Sequence, residues 1–370
     1  MIYPDVAKLS DEEIKILCEE YRENNFIDPE ISEKMGVKRG LRNADGTGVL
    51  AGLTNICDVI GYEKKEDRIF PIDGKLIYRG VDLNDIIDEQ MATDTFMFEK
   101  VAWLLLFGEF PDAQQLDKFK RMLEERRELP EGFAELMIMN APSPNIMNKM
   151  ARSVLAMYSY DENADDTSLE NVMKQSINLI AQMPTMMIYA YQTLRHTYQH
   201  KSLYFHYPQE GLSTAEHILD IYRPDQKYTH EEAMLLDLCL CAHADHGGGN
   251  NSTFADRVLS STGTDTYSAI SAAICSLKGP KHGGANLKVM EQLDEMVKNI
   301  NDIRDDEEVY AYLKKIMEKK AGDGSGLIYG IGHAVYTKSD PRMKLLQKHA
   351  KKLAYERGFE KEFEPIIFIS

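Results

Sequence analysis

Leu169-Glu-Asn-Val-Met-Lys-Gln-Ser-Ile-Asn-Leu-Ile-Ala-Gln-Met183 decides the fold class of this chain. Leu169, Val172, Met173, Ile177 and Ile180 recur at three- and four-residue steps, which makes one face of a helix apolar. The pattern runs on to Tyr198. Similar periodicity, punctuated by Pro, Gly or Asp, predicts helices over residues 11–24, 92–107, 112–128 and 153–160 upstream. Downstream it predicts helices over 231–244, 267–278, 285–300, 307–320 and 340–357. One segment, 68–78, reads as strand, and its Asp73-Gly74 pair predicts the turn of a small hairpin. The expected architecture is all-α in two domains, with a small N-terminal β hairpin. The larger helical domain spans 1–278 and a smaller one spans 279–370.

With 370 residues, 43% of them hydrophobic and 28% charged, the chain has the composition of a globular protein with room for two domains. A formal charge of −17 argues against nucleic acid or an anionic membrane as partner, because both require a basic footprint. Five cysteines, sparse and odd in number, read as reduced thiols. The N-terminus has no basic segment followed by an apolar one, and the longest apolar runs, near 101–107 and 184–191, are too short to span a bilayer. A soluble, cytoplasmic chain is expected. The glycine-rich segment 322–332 matches neither a P-loop nor G-x-G-x-x-G, and no strand–helix alternation surrounds it.

Chemistry concentrates in three histidines set among glycines. They are His246 in His243-Ala-Asp-His-Gly-Gly-Gly-Asn250, His282 in Gly279-Pro-Lys-His-Gly-Gly-Ala-Asn286, and His333 in Gly330-Ile-Gly-His-Ala-Val335. Glycine beside histidine lets a ligand or another backbone approach closely, at an entropic cost that a structural histidine does not require. His282 precedes a helix, where the positive end of the dipole favours neutral imidazole, a form that can donate to a carbonyl oxygen becoming an enol. Taken alone, it is equally readable as satisfying a tight turn. Asp340-Pro341 marks a helix start, which puts Arg342 in the first turn, where guanidinium and free amides can converge on a carboxylate. A lone arginine usually reads as a solvated charge; its nearness to His333 favours the anion site. Cys239, His243 and His246 share a helical face at i, i+4 and i+7, a spacing open to metal. Three ligands on one helix rarely converge on a tetrahedral ion, so no metal is expected.

The ordered set of three histidine motifs and Asp340-Pro-Arg342 resembles the citrate synthase family, including its 2-methylcitrate synthase branch. Lys75-Leu-Ile-Tyr-Arg-Gly-Val-Asp82, Leu104-Leu-Leu-Phe-Gly-Glu-Phe-Pro111, Ser252-Thr-Phe-Ala-Asp-Arg-Val258 and Thr264-Asp-Thr-Tyr-Ser-Ala-Ile-Ser-Ala-Ala-Ile274 also look like family segments, so the likeness runs from about Lys38 onward. The resemblance implies condensation of acetyl-CoA with oxaloacetate by a homodimer with no tightly bound cofactor and no metal. It assigns His282 to the acetyl enol and His333 to the oxaloacetate ketone. His246, Asn250 and Arg342 fall to oxaloacetate, and Gly330, Ile331 and Gly332 to the CoA moiety. Propionyl-CoA in place of acetyl-CoA, or a non-catalytic helical scaffold, are the alternatives.

One departure stands out. The family supplies its carboxylate base from an aspartate several tens of residues beyond the third histidine motif, and no aspartate follows Asp340 here. Glu356, Glu360, Glu362 and Glu364 do not stand in that motif context. The expectation is that the 370-residue chain alone releases little or no CoA from acetyl-CoA and oxaloacetate. Steady-state thiol release at ordinary enzyme rates contradicts it.

Overall fold

The computed structural model describes residues 54–65, 68–279, 282–303, 305–330, 335–360 and 363, with positions 12, 15, 17–19, 29–34 and 36 near the N-terminus. Two compact units divide the chain, Met1–Val49 and Leu50–Ser370, and the junction expected at 279 lies inside the second. In the first unit, helix α1 (Pro29–Lys34) carries an exposed Lys34–Glu30 pair one turn apart. Of the helix expected over 11–24, positions 12, 15 and 17–19 are helical and the rest lie outside the described residues.

The second unit opens with an antiparallel sheet, β1 (Cys57–Lys65), β2 (Arg68–Tyr78) and β3 (Val81–Asp82), in that spatial order. The expected hairpin turn is displaced. β2 runs straight through Asp73-Gly74, and the chain reverses between Lys65 and Arg68, which pair across the hairpin. Asp73 and Gly74 instead occupy a bulge: Ile60 pairs with Lys75 but Tyr62 with Pro71, so three residues of β2 face Gly61 alone. Turn chemistry at Asp-Gly was legible; its use as an irregularity inside a strand was not.

Helices follow: α2 (Leu83–Thr93), α3 (Phe98–Phe107), α4 (Ala113–Glu124), α5 (Ile146–Ala156), α6 (Leu169–Gln199), α7 (Thr214–Tyr222) and α8 (His230–Ala242). After them come α9 (Asn251–Ser260), α10 (Thr266–Leu277), α11 (Ala285–Asn299), α12 (Asp306–Met317) and α13 (Pro341–Glu356). The all-α expectation holds. Among the described residues no helix is long and apolar enough to cross a membrane. Helix α6 spans 31 residues with Pro184 inside it, a length of roughly 45 Å. The segment expected as a helix over 153–160 is the end of α5 followed by a 3-10 turn, Met157–Tyr160.

Helix 92–107 was expected as one element and is two. Asp94 adopts a left-handed conformation (φ 51°) and ends α2. Helix α3 then starts at Met97 without a side-chain cap of its own. Its cap comes from Asp237 of α8, whose carboxylate accepts from the Met97 amide at 2.7 Å, the Phe98 amide at 3.3 Å and Gln90 Nε2 of α2 at 2.8 Å. Glu99 repeats the device, accepting from the Thr214 amide at the start of α7 at 2.7 Å. Buried carboxylates thus satisfy the orphan amides of α3 and α7 and tie α2, α3, α7 and α8 together. Around this lock packs the core that carries the site: Leu76 and Tyr78 of β2, Leu83, Ile86 and Ile87 of α2, Val101 and Leu104 of α3, Leu238 and Cys241 of α8, and Leu345 of α13. Each such apolar side chain contributes roughly 1.5–3 kcal/mol on burial.

Burial, then the charge of Glu99, raises the Asp237 carboxyl to about 7 against the pull of the Met97 and Phe98 amides. A carboxyl raised on folding contributes stability that is complete below its unfolded value of about 3.9 and lost as pH climbs through the folded one. Chemical denaturation between pH 4 and 7.5 should therefore show the wild type losing on the order of 2–4 kcal/mol relative to Asp237→Asn. A pH-independent gap between the two proteins contradicts this assignment.

Candidate active site

Tyr78, the last residue of β2, is fully buried and directs its hydroxyl at the end of α8, donating to the Cys241 carbonyl at 2.9 Å and reaching that of Asp245 at 3.2 Å. Carbonyls at a helix end lack intrahelical partners, so the phenol ties this end of α8 to the sheet. Burial pushes the Tyr78 pKa far upward, which keeps the hydroxyl a neutral donor. The helix stops at Ala242, with His243 as its cap, two residues earlier than the 231–244 span expected. Asp245 accepts from the Gly247 amide at 2.7 Å, and this turn presents His246. Nearby Cys57 has its thiol raised to about 12 by burial and by the Asp245 charge, which makes it a packing residue and not a nucleophile.

His246 meets Tyr336 edge to face, with ring centroids 5.7 Å apart and planes at 82°. Tyr336 lies in the segment leading to α13 and donates its hydroxyl to the Lys75 carbonyl of β2 at 3.1 Å. Four residues later Asp340 caps α13, accepting from the Arg342 amide at 2.9 Å, with Pro341 in the first turn as expected. The Asp340 carboxylate also takes the Arg342 side chain in a two-pronged grip, Nε at 3.0 Å and Nη2 at 2.6 Å. Burial opposes the guanidinium charge, but hydrogen bonding to Asp340 and its charge outweigh it and raise the Arg342 pKa, with Tyr336 and Tyr78 adding to the effect. Arg342, Tyr336, Tyr78 and His246 therefore form one neighbourhood, assembled from β2, the end of α8 and the start of α13.

His282 sits in the turn between α10 and α11. Its amide donates to the Gly279 carbonyl at 2.9 Å, and the Gly284 amide reaches back to Leu277 at 3.0 Å. Helix α11 begins at once, capped by no side chain. The His282 Nε2 lies 3.0 Å from the hydroxyl of Ser252, on the first turn of α9. Partial burial lowers the His282 pKa, which favours the neutral ring. Only four residues separate His246 from α9, so that helix connects this station to the first.

Asn250, expected beside substrate, is the cap of α9. Its oxygen accepts from the Thr253 amide at 2.9 Å and its Nδ2 donates to Gly247 at 2.6 Å and to Thr253 Oγ1 at 2.9 Å. Its side chain thus ties the His246 turn to the helix bearing Ser252. Gly330 is described, and a Cβ added there would lie 3.4 Å from Val289 on α11; Ile331, Gly332 and His333 lie outside the described residues. Concerning the metal alternative, His243 Nδ1 bonds the Cys239 carbonyl at 2.7 Å, and no group of three or more metal-ligating side chains occurs among the described residues.

Sequence reading missed Tyr78, Tyr336 and Ser252. All three lie inside or beside quoted motifs, two positions from Gly80, three from His333 and two from Asn250, but a tyrosine or serine carries no periodic or charge signal that marks it.

The family model for the citrate synthase C-terminal domain matches residues 43–367. A citrate synthase of Haloferax volcanii is 33% identical over 305 residues, covering 80% of this chain and 73% of that protein. 2-Methylcitrate synthase 2 of Corynebacterium glutamicum is 30% identical over 325 residues, covering 87% and 78%. Among solved structures, citrate synthase from Pyrobaculum aerophilum superposes with a TM-score of 0.66 at 28% identity, over 87% of this chain and 74% of that one.

The depressed His282 pKa carries a direct test. Titration of the imidazole by NMR should give a midpoint below the ordinary value of about 6.5. A midpoint at or above that value contradicts the burial described here.

Proposed function

The chain belongs to the citrate synthase family of acyltransferases, and from that premise we propose that it is a citrate synthase joining acetyl-CoA to oxaloacetate, with water, to give citrate and CoA. His282 serves the acetyl end. If the Ser252 hydroxyl donates to Nε2, the ring proton sits on Nδ1, free to bond the thioester oxygen as the methyl loses its proton. Neutrality matters: an imidazolium would protonate the enolate instead of sharing a hydrogen bond with it. His246 and Arg342 serve the keto acid, Asp340 holding the Nε–Nη2 edge of the arginine so that its other edge, Nη1 with Nη2, is aimed for a substrate carboxylate. His333 polarises the ketone, and Gly330, Ile331 and Gly332 hold CoA. The neighbourhood of Arg342, Tyr336 and His246 is the observation that carries the reading, because it gathers a half-buried cation and an imidazole about one tyrosine in a chain of charge −17.

The division 1–278 and 279–370 is part of this proposal. A separate apolar cluster of Met296, Ile300, Val309, Tyr312, Leu313 and Ile316, drawn from α11, α12 and the chain between, supports it. A homodimer is proposed as well. Exposed Leu155, Phe254, Val258 and Leu277 on α5, α9 and α10 suit burial against a second copy. A second acyl reading is favoured by the 2-methylcitrate synthase relative. Acetyl- and propionyl-CoA differ by one methylene, about 1–3 kcal/mol of discrimination in a pocket.

No residue of the 370 is assigned the role of base, so binding is the test. Calorimetry should detect oxaloacetate uptake by the wild type, weakened about 10- to 100-fold by Arg342→Leu, the loss of charged hydrogen bonds. Absence of uptake refutes the proposal. Titration of each acyl-CoA into the oxaloacetate-bound chain then separates the two acyl readings.

A further inference from the structure

Asp73, Gly74 and Lys75 of β2 all engage the segment that leads into α13, some 260 residues away. Gly74 donates its amide to the Ser339 carbonyl at 3.1 Å. Ser339 Oγ donates to Asp73 at 2.8 Å, and Lys344 Nζ reaches the same carboxylate at 3.0 Å. Lys75 offers its carbonyl to Tyr336. The register shift at Gly61 is what leaves Asp73 and Gly74 out of the cross-strand register, so the irregularity of the sheet becomes a docking edge. The approach is too close for any side chain. A Cβ on Gly74 would run into the Ser339 carbonyl oxygen and the Tyr336 ring (2.6 Å to Cδ1), and one on Gly61 would lie 2.8 Å from the Val335 carbonyl carbon.

What this edge holds is the keto-acid end of the site. Ser339 is bonded directly to Asp340, which caps α13 and grips Arg342; Tyr336 abuts His246. We infer that the β1–β2 hairpin is the positioning element of the keto-acid subsite, with Gly74 and Tyr336 as positioning residues that set Arg342 and His246 at a fixed separation. This inference takes the oxaloacetate role of Arg342 and His246 from the function proposed above. A shift of the docked segment moves Arg342 through a stretch of three residues, too short to absorb it. The hairpin thus governs keto-acid affinity without touching the ligand.

The experiment compares three variants by calorimetry with oxaloacetate and by thermal unfolding. Gly74→Ala forces the edge and the segment apart, and the dissociation constant should rise at least about tenfold. Tyr336→Phe keeps the ring against His246 and removes the hydroxyl that bonds Lys75, and should weaken binding roughly three- to tenfold. Gly80→Ala is the control. It strains the turn after β2, where Gly80 has φ +87° and open space around it, but touches nothing in the docked segment. It should lower the melting temperature and leave oxaloacetate affinity within about twofold of wild type. Should Gly74→Ala fail to fold, Tyr336→Phe against Gly80→Ala decides. Wild-type affinity in Tyr336→Phe and in any folded Gly74→Ala, or an equal loss in Gly80→Ala, overturns the inference while the proposed function stands. A wild type that takes up no oxaloacetate removes both.

Discussion

The contact on which the site depends is backbone against backbone, the Gly74 amide on the Ser339 carbonyl, across a sequence separation of 265 residues. It brings a strand near the start of the second unit against the segment that launches α13. Hydrogen bonding alone would contribute about 1 kcal/mol. Its larger effect is geometric, because with no Cβ at Gly61 or Gly74 the two segments approach to a distance that permits few alternative arrangements. Arg342 and His246, contributed from positions 96 residues apart, then share Tyr336 as a neighbour.

Behind that contact stands a polar frame made by helices capping one another. Asp237 closes the start of α3, Glu99 of α3 closes the start of α7, and Tyr78 closes the end of α8. Local caps hold a helix end whatever its neighbours do. Caps donated by another helix hold only when both helices are in place, so they convert helix formation into tertiary specificity. The cost is buried charge, visible in the raised carboxyl of Asp237. A rigid frame of this kind suits the proposed chemistry, in which fixed donors meet a developing enolate, since donors that reorganise during reaction stabilise it less.

Much of this was legible where the cause is local. Asp112 with Gln115, Ser168 before α6, and Asp340-Pro341 each carry their own start signal, and those helices begin within a residue of where reading puts them. His246, His282 and Arg342 announced themselves by the company of glycine or of a helix start. What escaped has long-range causes. The break at 94–97 exists because a carboxylate 140 residues later closes the amide of Met97. Asp73-Gly74 has the chemistry of a turn but is used as a bulge, since the segment it docks against is 265 residues away. Asn250 looked like a polar group for a ligand and is spent on capping α9, a helix whose existence the periodicity did not disclose. Tyr336 and Ser252 become visible as site residues only when the histidines they touch are in place.

The central claim is that imidazole and guanidinium from distant parts of the chain share one keto-acid pocket. A crystal structure grown with oxaloacetate tests it most directly. Density for the ligand should lie between the His246 ring and the Arg342 guanidinium, with a carboxylate within hydrogen-bonding distance of the arginine, beside Tyr336. Ligand bound elsewhere at saturating concentration, with these two side chains opening onto separate surfaces, contradicts the account.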